Sequence, residues 1–75
     1  MDEDRDPIEA TIAYVETFHA FADDACGVRY FLYSNAFETT GQYGFAHLRP
    51  GTRVRFTPIV HPRGPRGIGV RILTR

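Results

Sequence analysis

Beyond Gly27, apolar and polar positions alternate with a period of two, the spacing of a strand with one face turned inward. Residues 28–34 (VRYFLYS) are aromatic and β-branched. Residues 52–60 (TRVRFTPIV) set Val54 and Phe56 against Arg53 and Arg55, and residues 67–73 (GIGVRIL) repeat the alternation through Ile68, Val70 and Ile72. Three strands are predicted here. Between them lie ETTGQYG, LRPGT and HPRGPRG, which supply glycine and proline where a chain must reverse. Pro58 cannot donate to a ladder, so its strand is expected to have an edge or a bulge at that point.

Residues 10–22 carry two competing patterns. Asp6 as cap, Pro7 at the first helical position, Glu9 closing a capping box, and Ile8, Ile12, Val15 and Phe18 at helical spacing describe a helix ending near Gly27. The same stretch also divides into two short strands, residues 11–16 and 17–22, rich in aromatic and β-branched residues. Local signals leave both readings open. Short strands with turns at regular intervals point to a barrel or sandwich, and at 75 residues only a small barrel closes.

Charge changes the picture of the ends. The formal net charge is zero, but residues 1–38 hold nine acids against two arginines, and residues 39–75 hold seven arginines and no acid. Five of the acids fall in residues 1–9, which have nothing to bury and are expected to form a disordered acidic tail ahead of a single domain at 10–75. The domain is therefore basic, with eight arginines against four acids. Lysine is absent, so every cationic contact would come from a planar guanidinium that can grip phosphate bidentately or stack on a base.

Candidate chemistry is sparse. One cysteine, Cys26, allows no internal disulfide. His19, His47 and His61 show no metal-ligand spacing, and no nucleophile elbow, carboxylate pair or phosphate-cradling glycine loop occurs. Neither catalysis nor a metal or cofactor is expected. The acidic start and the lack of any apolar run near 20 residues lead to the expectation of a soluble cytoplasmic protein with no membrane partner.

GFAHLRPGTRVRF at residues 44–56 and RGPRGIGVRIL at 63–73 resemble the cold shock domain's Gly-Phe to Val-x-Phe segment and its final loop and strand, in the right order and at the right separation. YFLYSNAF at 30–37 is similar to that family's second ribonucleoprotein motif, TFHAFADD at 17–24 to its first, and ATIAYV at 10–15 to the strand before it. The resemblance covers about residues 10–73. It implies an all-β, five-stranded antiparallel barrel of the OB type and favours strands over the helix at 10–22.

The resemblance also implies single-stranded RNA or DNA as partner, bound with low sequence specificity in the manner of an RNA chaperone. It places Phe31, Tyr33, Phe18, Tyr14 and Phe45 on the stacking face, and Phe21 on a buried position. His61, Arg63 and Arg66 lie on the last loop, which OB folds use to close over a strand. Ala20 and Ser34 stand where the family has stacking or apolar residues, His19 replaces a glycine, and the loop between the first two strands is about three residues shorter. A second register would bring His19 and Phe21 onto the stacking face instead. The alternative function is a protein-interaction or self-association module, docking through Phe37, Tyr43 and Phe45 onto a partner or a second copy.

Overall fold

The computed structural model describes residues 6–38 and 44–74, and they form a closed five-stranded barrel. The strands are β1 (Ile8–Val15), β2 (His19–Asp23), β3 (Arg29–Tyr33), β4 (Arg53–Ile59) and β5 (Arg66–Thr74), with single 3-10 turns at Ser34–Ala36 and Phe45–His47. The helix reading of residues 10–22 is overturned: β1 and β2 pair antiparallel across that stretch. Residues 1–5, with most of the expected tail, lie outside the described residues, as does Tyr43. Ile8 and Glu9 do not belong to a tail, since β1 starts at Ile8, which pairs with Phe56, while Glu9 accepts a hydrogen bond from Arg53 at 3.0 Å.

The ring order is β1-β2-β3-β5-β4. Four of the five contacts are antiparallel, and β3 meets β5 in parallel at Phe31 opposite Arg66. The purely antiparallel expectation is therefore corrected. An odd number of strands closed into a ring cannot alternate in direction all the way round, so one parallel pair is obligatory.

The core is filled by Ile12, Leu32, Val54, Phe56 and Val70, with Ala10, Ala20, Ala22 and Leu48 around them. Alternation holds in β3 and β4 but breaks twice elsewhere. In β1 the register with β2 shifts between Ile12 and Tyr14, leaving Ala13 as an extra residue. This bulge puts Ile12 inside and Tyr14 outside although they are two apart. In β5 the two residues between Ile68 and Arg71, Gly69 and Val70, face the single residue Phe56 between Thr57 and Arg55. Gly69 takes up that extra residue at φ +62°, a left-handed conformation suited to glycine, so Val70 turns inward and Ile68 turns out. Ile68 was expected to share a face with Val70 and does not. Pro58 sits opposite Gly67, past Phe56 where the ladder with β1 ends, as an edge position requires.

The β2–β3 hairpin is fixed by Asp24, whose Oδ1 accepts hydrogen bonds from the backbone N–H groups of Cys26 and Val28 at 2.9 Å. Its Oδ2 accepts one from the Tyr30 hydroxyl at 3.3 Å. Burial, and secondarily the Asp24 charge, raise the Tyr30 phenol above its ordinary value near 10. Stability is then fully present below pH of about 10 and falls as pH rises further, because the unfolded chain ionises first. Urea midpoints measured between neutral and strongly alkaline pH should show this decline, and Tyr30→Phe should flatten it. An equally steep decline in the variant would assign the effect to other groups.

Candidate nucleic-acid interface

Ala20 and Ala22 point into the barrel, so their neighbours His19 and Phe21 point out. Across the β2–β3 ladder His19 lies opposite Tyr33 and Phe21 opposite Phe31. The second register is the one the chain adopts, and the expected burial of Phe21 is corrected. Small residues at positions 20 and 22 suit the interior of a narrow barrel that Phe56 and Leu32 already fill.

The outward face is a continuous aromatic row. The Tyr14 and Phe21 ring centroids are 4.9 Å apart, Phe21 and Phe31 meet edge-on at 5.5 Å, and Phe31 and Tyr33 lie at 5.7 Å. His19 stacks on Phe31 at 4.8 Å and touches Phe21 edge-on. Tyr14 is 40% exposed and Tyr33 48%, so the ends of the row are open to solvent. Phe31, at its centre, is half-buried. With β2 on one side and β5 on the other, it is flanked by His19 and by the Arg66 guanidinium, 4.7 Å from its ring centroid.

Phe18 belongs to the β1–β2 turn rather than the row and is 67% exposed, the most open phenylalanine or tyrosine ring among the described residues. Its carbonyl accepts the Ser34 N–H at 2.8 Å, which ties the turn to the end of β3. Phe45 stands apart: its ring packs edge-on against Phe37 at 5.4 Å, and both are half-buried against the core. The six other sequence-predicted residues, Tyr14, Phe31, Tyr33, His61, Arg63 and Arg66, join the row or line the clefts beside it.

Two clefts border the row. The larger, about 440 Å³, runs between Phe21, Arg29 and Phe31 on one side and residues 63–65 of the β4–β5 loop on the other, with Arg66, expected on that loop, standing instead as the first residue of β5. The smaller, about 230 Å³, lies beyond Arg66 and is lined by Phe31, Tyr33, Asn35, His61 and the apolar residues around Ile68. Arg66 separates them.

Arg29 was missed by the sequence reading. It lies 5.5 Å from the Tyr14 ring and grips Asp23 with two nitrogens, Nε to Oδ1 at 2.7 Å and Nη2 to Oδ2 at 2.9 Å. That hydrogen-bonded pair holds the Asp23 carboxyl below, and the Arg29 guanidinium above, its ordinary range. The charge of Arg29 is largely matched. Arg63 and Arg66 have no carboxylate within ion-pair distance among the described residues, so the positive field over the face comes from the loop side. Arg53 and Arg71 lie on β4 and β5 and pair with Glu9 and Glu38.

Among the described residues no group of three or more His, Cys, Asp or Glu side chains could hold a metal ion, and no helix is long and apolar enough to cross a membrane. Compared with known proteins, the chain matches no protein-family model and no curated protein by sequence.

Proposed function

We propose that this barrel is a diverged cold shock-type module that binds single-stranded RNA or DNA with low sequence specificity, as a binding protein rather than an enzyme. One observation carries the reading. Aromatic side chains from three neighbouring strands form an unbroken outward row, bordered by Arg63 of the adjoining loop and Arg66 at the start of β5, neither of which has a carboxylate partner among the described residues. Sequence-tolerant single-strand binding requires this combination of π-faces for bases and cations for phosphates. Small five-stranded barrels of the OB type commonly bind nucleic acid on the same side. Bases trapped on the row would be lost to pairing, so weak secondary structure in a bound strand would melt, as an RNA chaperone requires.

The interaction-module alternative has less to work with. Of its three docking rings, Phe37 and Phe45 pack on each other and on the core, and Tyr43 lies outside the described residues.

Salt dependence tests the electrostatic half of the proposal. Arg63 is exposed, and no carboxylate pairs with it among the described residues. Arg63→Ala should therefore leave the fold intact and flatten the slope of log affinity against log salt by up to about 0.7, the share of one phosphate contact on a single strand. Fluorescence anisotropy of a labelled oligopyrimidine across a salt series measures it. A parent protein without affinity at low salt would refute the nucleic-acid reading.

A further inference from the structure

The outer surface of β4 and β5 carries charge and no ring, since the one aromatic on these strands, Phe56, belongs to the core. In the ring order they are the two strands that do not touch β2, so this surface faces away from the centre of the aromatic row. Val54 and Phe56 point inward, which turns Arg53, Arg55 and Thr57 out. Arg55 lies directly opposite Arg71 of β5 and, on its other flank, opposite Glu9 of β1.

The charges here do not balance. Glu9, the neighbour placed to neutralise Arg55, reaches instead to Arg53 at 3.0 Å, and Thr11 Oγ1 accepts a second bond from the same guanidinium at 3.3 Å. Glu38 Oε1 accepts from Arg71 Nε at 3.0 Å, so the terminal nitrogens of Arg71 stay available as donors. Three arginines therefore meet two carboxylates, and Arg55 is the one with no carboxylate partner among the described residues. Beside it a hollow of about 240 Å³ opens between Arg55 and Arg71, floored by Phe56 and bounded by Pro7, Thr57 and Gly69. Gly69 keeps it open: a Cβ there would stand 3.3 Å from Glu38 Oε2 and crowd the carboxylate that holds Arg71.

We propose that this hollow is a phosphate site, filled by one phosphodiester of a nucleic-acid backbone, and that it gives the barrel a second nucleic-acid contact independent of the aromatic row. The surplus charge is a single positive one, equal and opposite to that of a diester. Two guanidinium groups approach from adjacent strands and Thr57 brings a hydroxyl, a set of donors that meets the several oxygens of a tetrahedral phosphate, whereas a carboxylate offers one planar edge. With no ring to receive a base, the contact touches backbone alone, and paired and unpaired strands are equally acceptable to it. A strand stacked on the row leaves this side uncovered, so one molecule can hold a single strand and a duplex at once. The proposal rests on the single-strand reading only for nucleic acid as the source of the phosphate.

Backbone amide shifts of isotope-labelled protein, first saturated with a short oligopyrimidine and then titrated with a blunt DNA duplex of unrelated sequence, test it. The duplex should move Arg55, Thr57, Gly69 and Arg71 while Phe31 and Tyr33 stay at their oligopyrimidine-bound positions. Arg55→Gln, at an exposed position, should weaken the duplex about eightfold at about 0.1 M salt, the worth of one released counterion. Oligopyrimidine affinity should not change, because the shortest dimension of the barrel, 20 Å, is twice the screening length of about 10 Å at that salt. Replacing Tyr14 and Tyr33 together by alanine should do the converse, losing the single strand and keeping the duplex. Duplex shifts confined to the row or the β4–β5 loop, or a duplex affinity that Arg55→Gln does not lower, would overturn the site and leave the single-strand reading standing. Polyglutamate that moves the same four amides as tightly as the duplex would also overturn it, assigning the hollow to an acidic polypeptide. A parent that takes the duplex at the hollow but never the oligopyrimidine would support the site and overturn the single-strand reading instead.

Discussion

Replacing Gly67 by alanine is expected to cost this protein about 3 kcal/mol of stability, at the upper end of the range for overpacking a close-packed interior. Gly67 is the second residue of β5 and is buried. A Cβ placed on it would collide with the Phe56 ring and a Leu32 methyl, two of the most deeply buried groups in the barrel. Neither can withdraw, since Phe56 also meets the Tyr30 ring at 5.2 Å and Leu32 lies on β3, held between β2 and β5. The gain alanine brings by restricting the unfolded chain, roughly 0.5–1 kcal/mol, is too small to reverse the sign. For a domain of this size the loss corresponds to a fall in Tm of roughly 12–24 °C. Thermal and urea unfolding would measure it. Leu32→Ala in the same chain should relieve part of the collision, so the double variant should lose less than the sum of the two single losses. A neutral or stabilising Gly67→Ala would show that β5 can shift away from β3, and with it the walls of the small cleft.

The strands were legible in the sequence wherever one rule sufficed. Alternation located β3 and β4 and set Val54 and Phe56 against Arg53 and Arg55. In β3 it leaves the inward face open, and the resemblance is what turned Phe31 and Tyr33 outward, as the structure has them with Leu32 inside. Where an extra residue enters, alternation misleads, because a single bulge inverts everything after it. Ala13 and Gly69 are such residues, and they bring Tyr14 to the aromatic face and Ile68 to the cleft. The register of β2 was open for a related reason. Residues 17–24 contain rings at both odd and even positions, and only the demand for small residues inside a narrow barrel selects Ala20 and Ala22. The signal was present as Ala-x-Ala, and the resemblance to the cold shock motif drew attention to Phe18 instead. Arg29 could not be found from local pattern, since its partners Asp23 and Tyr14 become neighbours only once β1, β2 and β3 are side by side.

The same geometry separates rings that support the face from rings that can receive a base. Phe31 is occupied on both sides, so its removal would release His19 and Arg66 together and confuse support with contact. Tyr14 and Tyr33 are cleaner probes: each touches one ring of the row, Tyr14 has only the ion-paired Arg29 beside it as well, and they have no ring contact with each other. Tyr14→Ala and Tyr33→Ala should each cost about 1–3 kcal/mol of single-strand affinity, the worth of one base platform. Because the two share no partner, the losses should add to about 2–6 kcal/mol in the double variant, a weakening of at least about thirtyfold. Stability should change by no more than about 0.5 kcal/mol per site, as for other surface positions, and circular dichroism with thermal melting checks that first. The slope of log affinity against log salt should stay at the parent value, since no cation is removed. That pairing of outcomes, large loss with constant slope, is the mark of stacking, and Arg63→Ala should give its converse. A folded double variant that binds as tightly as the parent would mean that bases do not rest on this row, leaving the loop arginines to hold the strand by its phosphates alone.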